Sequence, residues 1–355
     1  MGRVLHNNRG MALILTLLVV SFLVALTVEL GTSVNWQLQA ASNQADIVVM
    51  DAMVLSGLQL SRAALLADQL ANDFDTGHDS WGSFEPDVLQ GLFPEGAMDI
   101  QVEDLTGLLQ INALVLTEKE RKRRQKEQAA ARQKGKKKGK FSSQQLEKKQ
   151  RVIWKRFLTS GKFVVEDEDE AKELLDTLSD WLDKDDDERE NGAEDGYYRS
   201  LVPAYTAANG VVFSPDELLL IRGWQPVLLA GDKEHAGIRR YLTAAGEDGK
   251  ININTAPAEV LLALHPDMTE ELASLLIKFR DDKDNRDALK SKNWYAQVNG
   301  FAGTGIQFDA DLITVKSSYF QVVVTVQLHG ITRVGRGVLH RLDNREQELL
   351  WWQVE

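Results

Sequence analysis

Twenty consecutive residues, Met11 to Leu30, carry a single charge, Glu29. At 1.5 Å per residue such a run forms a helix of about 30 Å, the thickness of a bilayer's hydrocarbon core. A chain that starts this way is tethered to a membrane. Arg3 and Arg9 precede the run with no acid among them, so the positive-inside bias keeps the leader cytoplasmic and sends everything after Leu30 outward. A cleavable signal peptide has a shorter apolar region, roughly 7 to 15 residues, ending in a small-x-small site. Here the nearest such site, Ala40-Ala41, lies well beyond the apolar core.

The boundary Arg9-Gly10-Met11, placed before the apolar run, separates this start from a plain signal anchor. It resembles the class III leader of type IV pilins and pseudopilins. The resemblance implies that a prepilin peptidase cuts after Gly10 and methylates the new amino terminus at Met11. One departure is informative. Most of that family carries a glutamate at the fifth mature position, where it neutralises the terminal ammonium of a neighbouring subunit inside the membrane. This chain has Leu15 there. An uncompensated charge in lipid costs several kcal/mol, so a subunit lacking the acid is poorly suited to joining a filament from below. Within the family that loss resembles pseudopilin K of type II secretion, a subunit placed at the pseudopilus tip.

At 355 residues the chain exceeds one ordinary domain. Zero cysteines exclude disulfides, thiolate metal sites and cysteine nucleophiles. The net charge of −12 conceals segregation into blocks: residues 118–150 hold 14 Lys/Arg against 4 acids, and 165–195 hold 16 acids against 3 basic residues.

The helix pattern runs without proline to about Leu70, and such a helix needs a sheet or neighbouring subunits along its exposed half. Residues 73–96 read as a loop. Met98 to Val102 alternates as a half-buried strand, and Leu109, Ile111 and Ala113 repeat the alternation after Thr106-Gly107, which predicts a hairpin. Residues 118–150 lack large apolar side chains except Phe141 and Leu146 and read as a solvated insertion. Polycations bind phosphate, but no stacking aromatics interleave the Lys/Arg core, so no nucleic-acid partner is expected. From Ile153 to Gln307 the periodicity is mainly helical. It turns β again at Tyr319–Leu328, with His329-Gly330 as a turn into Ile331–Leu342 and a third strand at Leu349–Val354. Strands, helices, then strands again predict an α+β fold in which a helical module is inserted into a small antiparallel sheet.

Asp180-Trp181-Leu182-Asp183 to Gly192-Ala193-Glu194 concentrates carboxylates that would repel without a cation. With Asp183 at position 1, Asp185 and Asp187 fall at 3 and 5, the Arg189 carbonyl at 7, Asn191 at 9 and Glu194 at 12, the oxygen-ligand spacing of an EF-hand calcium loop. Glu188 replaces the glycine of position 6, so a calcium-holding loop of another geometry is expected rather than an EF-hand. The Asp-Trp-x-Asp to Gly-Ala-Glu segment, followed by Tyr197-Tyr198, resembles the pseudopilin K family, whose inserted helical region binds calcium. The resemblance implies calcium ligands among Asp180, Asp183, Asp185, Asp187, Asn191 and Glu194.

Ile251 to Arg280 reads as two helices joined at His265-Pro266-Asp267, with Asn254 or Thr255 capping the first and Thr269 the second. It resembles a helix-hairpin-helix, but the turn has no glycine, a proline without an N–H, and an acid where phosphate would lie. A membrane-anchored DNA receptor is therefore the weaker alternative. The same Asn-Thr-Ala opening resembles the second of two sterile-alpha-motif-like (SAM-like) lobes of the pseudopilin K family, and Ser214-Pro215-Asp216-Glu217 resembles the closing helix of the first. No phosphate loop, nucleophile elbow or His-Glu-x-x-His helix is present, and no enzyme activity is expected.

Together these features predict a type IV pilin-like long N-terminal transmembrane helix packed on a small antiparallel sheet, with two inserted SAM-like lobes. The expected division is leader 1–10, membrane segment 11–31, pseudopilin helix and first strands 32–116, basic insertion 117–150, first lobe with the acidic loop 151–248, second lobe 249–308 and terminal strands 309–355. The resemblance implies a single-pass inner-membrane protein with its C-terminal part in the periplasm. Its implied partners are the minor pseudopilins I and J, the major pseudopilin and prepilin peptidase.

Overall fold

A computed structural model describes residues 9–85, 89, 91–133, 142–301 and 303–355. Most of the expected leader, 1–8, and the lysine-rich centre of the insertion, 134–141, lie outside the described residues.

Helix α1 spans Arg9–Ala71. Its buried positions, Met50, Met53, Val54, Gly57, Leu58, Ser61, Leu65 and Asp68, recur every three or four residues and form one stripe. That stripe covers a four-stranded antiparallel sheet of order β1-β6-β7-β8, built from β1 (Ala97–Asp104), β6 (Tyr319–Leu328), β7 (Ile331–Arg341) and β8 (Gln347–Val354). On β6 the residues Phe320, Val322, Val324, Val326 and Leu328 alternate into the α1 face. Burying each such side chain contributes about 1.5–3 kcal/mol, so this strand is the main anchor of the helix. Gly57 sets the depth of docking, because a Cβ there would sit 2.5 Å from Val324 Cγ1.

The β6–β7 hairpin forms as the sequence predicts. His329 (φ 47°) and Gly330 (φ 82°) occupy a two-residue turn between the paired Leu328 and Ile331, both in the left-handed region that such turns require. The Leu349–Val354 strand is also present, as the outer part of β8.

The expected hairpin of Met98–Val102 with Leu108–Val115 does not form. β1 pairs with β6 instead, from Ala97↔Gln327 to Asp104↔Phe320. The short β2 (Leu109–Gln110) pairs in parallel with β3 (Leu242–Thr243), and Ile111–Ala113 is a 3-10 turn. Residues 104–114 are buried without a break, so their alternation of residue types marks no single wet face.

The helical region contains α2 (Glu118–Gln133), α3 (Ser143–Leu158), α4 (Glu168–Leu182), α5 (Asp195–Tyr198), α6 (Pro226–Ala230), α7 (Ala258–Ala263) and α8 (Glu270–Asp281). Its two lobes share one apolar core that runs from Leu109 through Trp154, Leu178, Trp224 and Val260 to Val315. The insertion is less foreign than its composition suggests. Helix α3 crosses the boundary expected at 150, and Leu146 and Gln150 are buried on it. Glu120 is buried on α2 between Arg123 and Arg124, and Gln150 donates to the Gly249 carbonyl at 2.7 Å. Polar residues go inside here because each has a partner. The second lobe likewise extends past the expected 308, since β4 (Ile251–Asn252) pairs with β5 (Ile313–Thr314).

Candidate metal centre and assembly surface

Helix α4 ends at the acidic loop. Asp167 caps its start by accepting from the N–H groups of Asp169 and Glu170, and its last turn brings Asp180, fully buried, under the returning chain. Gly192 permits this closure, because a Cβ there would overlap Asp180 Oδ2 at 1.7 Å. The Arg189 guanidinium donates to both Asp180 and Asp183 at 2.5 Å. Glu194 is buried opposite them, and neither of its carboxylate oxygens has a hydrogen-bond partner. Asp183 Oδ1 is also buried and unpartnered. Burial, reinforced by Asp180, Asp183, Asp186 and Asp185, pushes the Glu194 carboxyl up to about 8. Burial also raises Asp183, against the pull of Arg189.

Three unpartnered buried oxygens, with one guanidinium among several carboxylates, fit a hard divalent cation. Of the expected ligand set, Asp180 and Glu194 are buried and Asp183 is half-buried, with Arg189 between Asp180 and Asp183. Asp185 and Asp187 are exposed, with Asp185 accepting from the Asp187 N–H at 3.2 Å. The Asn191 amide reaches towards Asp176 at 3.5 Å instead. The EF-hand register is thus not the geometry of the loop, whose inward-turned carboxylates lie at the end of α4 and just before α5.

A second acidic group escaped sequence reasoning. Asp68, Asp75 and Asp79 bring carboxylate oxygens within 4.8 Å of one another where α1 ends. Arginines neutralise it: Arg341, buried at the end of β7, pairs with Asp68 at 3.1 Å and with Asp75, while Arg286 pairs with Asp79. Beside it the fully buried Asp104 accepts from Thr106 N–H, Asn252, Thr255 and Ser317. This network ties α1, β1, the second lobe and the entry to β6 into one joint. Its partners lie far apart in the chain, so no local pattern announces it.

The joint also corrects the expected cap of the first hairpin helix. Pro257 is the N-cap of α7, and no side chain caps it. Thr255 and Asn254 face the joint instead, the latter donating to the Asp75 carbonyl at 3.1 Å. Thr269 does cap α8, accepting from the Leu272 N–H. Ser214 and Glu217 form a capping box where the closing helix of the first lobe is expected, and the segment it starts is a 3-10 turn over Pro215–Leu220.

The other candidate surface is α1 itself. It has the length and apolar composition of a membrane span, and the most apolar stretch of it packs against nothing within the chain. Met11, Leu15 and Phe22 are exposed there, and Trp36 and Leu38 continue the apolar surface towards the sheet. Gly10 lies in the first turn of the described helix.

Comparison with known proteins places this architecture. Residues 107–231 and 251–316 match two family models, both described as type II secretion system (T2SS), protein K. Type II secretion system protein K of Aeromonas hydrophila is 27% identical over 350 residues, covering 92% of this chain and 91% of that protein. The Pseudomonas aeruginosa protein of the same name is 25% identical over 333 residues, covering 91% and 86%. A crystal structure of the GspK-GspI-GspJ complex from the enterotoxigenic Escherichia coli type 2 secretion system contains a chain of the same fold. That likeness has a TM-score of 0.60 at 14% identity and covers 90% of this chain and 99% of that one. The two family models cover most of both lobes, give the nucleic-acid reading no support, and describe a component of secretion machinery rather than an enzyme family. The chain belongs to the type II secretion system protein K family.

Proposed function

We propose that this protein is the minor pseudopilin at the tip of the type II pseudopilus, where it initiates assembly for export of folded proteins across the outer membrane. The observation that carries the reading is where the lobes sit. β1 starts at Ala97, next to Gly96 beside Met53, and ends at Asp104, which shares Ser317 with Asp75 just beyond the end of α1, so residues 107–316 crown the end of the sheet farthest from the membrane span. At 1.5 Å per residue, α1 from 31 to 71 lifts that crown about 60 Å. Within a helical shaft the crown would collide with the subunit stacked above, and at the tip nothing lies above it. Leu15 agrees with this placement, since a subunit that enters first has no older neighbour's amine to neutralise.

In this reading the chain is a single-pass inner-membrane protein with its lobes in the periplasm, and prepilin peptidase cuts after Gly10 to leave N-methylated Met11. Minor pseudopilins I and J pack against the exposed face of α1 and the sheet, and the major pseudopilin follows below. The complex named in the related crystal structure supports that choice of partners. Asp180, Asp183 and Glu194 hold calcium, which supplies the positive charge their buried oxygens lack. Gold labelling of an epitope on the first lobe tests the placement on overexpressed pseudopili. Label at one end only is expected, and label spaced along the shaft would overturn it.

A further inference from the structure

The basic block that stands out in the sequence is rooted in the lobes through helix α2. One side of the helix is docked. Arg121 pairs with Glu147 of α3 at 3.0 Å, and the buried Glu120 holds Arg123 and Arg124, the latter also donating to the Asp248 carbonyl. At 3.6 residues per turn, Glu120, Arg121 and Arg124 face the chain, and Lys119, Lys122 and Lys126 form a stripe on the opposite side. All three lysines are exposed. Lys122 lies 3.7 Å from the exposed Glu118, and Lys119 and Lys126 have no carboxylate within salt-bridge distance among the described residues.

The chemistry of this face selects its partner. Helix α2 carries no apolar side chain larger than alanine, whereas protein interfaces are poor in lysine and rest on buried aromatic or apolar anchors. Single-stranded nucleic acid needs stacking aromatics, and the helix has none. Anionic lipid headgroups need neither: they form a fluid layer of phosphates that lysines meet as point charges, without a fixed geometry. The sequence continues with the same sign, since residues 134–140 add five lysines and two glycines. Position decides which lipid surface is within reach. The 16 residues of α2 span about 24 Å, far short of the roughly 60 Å between the lobes and the chain's own membrane segment.

We infer that the lysine face of α2 docks the crown on an anionic phospholipid surface facing the lobes, distinct from the bilayer that the chain spans. The direction of that surface rests on the orientation proposed above, in which it belongs to the outer membrane, while the affinity for anionic lipid is a property of the helix itself. Each lysine brought to such a surface raises affinity about fivefold, and salt weakens the contact.

The full chain is placed in nanodiscs of phosphatidylcholine, so that its own bilayer carries no net charge, and mixed at physiological salt with phosphatidylcholine vesicles made with or without one third phosphatidylglycerol. Co-sedimentation is expected with the anionic vesicles, at least tenfold tighter than with the neutral ones. Lys119→Gln, Lys122→Gln and Lys126→Gln combined should weaken it at least tenfold without moving the melting temperature, and Lys119→Arg, Lys122→Arg and Lys126→Arg combined should keep it. The inference is overturned by no binding of anionic vesicles, by equal binding of both kinds, or by unchanged affinity of the combined glutamine variant. Soluble polyglutamate that binds the protein where vesicles do not would also overturn it, and would assign the face to an acidic protein. Gold labelling of pseudopili reads tip placement separately, so either result can fail without the other.

Discussion

Asn252 donates its side-chain amide to the buried Asp104 carboxylate at 3.0 Å, joining the second lobe to the last residue of β1 across 148 positions of sequence. The same amide reaches Ser317 Oγ at 2.7 Å, so one side chain serves the sheet and the lobe together. Removing it leaves buried acceptors unpaired, which costs about 1–3 kcal/mol. Asn252→Ala should therefore lower the unfolding free energy measured in denaturant by that amount and speed hydrogen exchange at Ser317 and Thr106. Unchanged exchange at those two amides would show that the joint does not depend on this residue.

How tightly α1 sits on the sheet can be tested at Gly57. A Cβ there would lie 2.5 Å from Val324 Cγ1 and 3.2 Å from Met98 Sδ, and overpacking a filled core costs about 1–3 kcal/mol. Gly57→Val is expected to destabilise the protein by at least that much, whereas Gly31→Val, with nothing within 4 Å, should leave stability within error. Equal effects of the two substitutions would remove Gly57 from its role in docking.

The sequence displays α1, the β6–β7 hairpin and the acidic loop because each is local: an apolar run, an alternation closed by a two-residue turn, and a charge block. What it hides is non-local. β1 looks like half of a hairpin with the residues that follow, yet its partner β6 begins more than 200 residues later. Gln150 and Asp104 read as surface residues by type, and each is buried because a distant part of the chain supplies its hydrogen bonds, while Glu120 is buried between its helix neighbours Arg123 and Arg124, of which Arg124 reaches the distant Asp248 carbonyl. The acidic loop is legible as a block of carboxylates in composition, but which of them turn inward is not legible in their register. Which carboxylates turn inward depends on Gly192 closing over Asp180, a contact that spacing does not encode.

The buried Asp68 carboxyl, raised against the pull of Arg341, gives the joint a pH dependence of definite sign. Burial, and then Asp75, raises the Asp68 carboxyl to about 6. A carboxyl raised in the folded state binds its proton more tightly there than in the unfolded chain, so its contribution to stability is greatest in acid and is lost as pH climbs from about 4 to about 6. Asp68→Asn removes that titration while Asp75 continues to hold Arg341. Relative to the wild type, the variant should gain stability on going from pH 4.5 to pH 7.5, on the order of 1–3 kcal/mol. Parallel stability curves for the two proteins across that range would count against the assignment.

Processing should leave a defined mass. If Arg9-Gly10-Met11 is a prepilin boundary, intact-mass measurement of the membrane-extracted protein should show a chain beginning at N-methylated Met11. Gly10→Val should leave it uncut. Gly10→Ala is expected to be processed in part, because alanine is still small. A mature start near Ala41, or an unprocessed wild-type chain, contradicts the leader assignment.

Calcium binding should be visible as a change in stability. The loop buries both Glu194 oxygens and Asp183 Oδ1 without partners, and Arg189 offsets only part of the charge of Asp180 and Asp183. A divalent cation relieves this repulsion only in the folded chain, where the end of α4 and the start of α5 converge. A ligand confined to the folded state stabilises it by RT ln(1 + [L]/Kd), about 2.7 kcal/mol at a hundredfold excess over Kd. The protein should therefore melt at a higher temperature in calcium than in EDTA. Magnesium should substitute poorly, since it demands a tight octahedron and sheds water reluctantly, whereas calcium accepts six to eight oxygens in flexible arrangements. Asp183→Ala combined with Glu194→Ala should abolish the difference, and Asp187→Ala, at an exposed position outside the converging set, should preserve most of it. Identical melting in calcium and in chelator, with no metal in the purified protein, would reduce the segment to a solvated acidic loop.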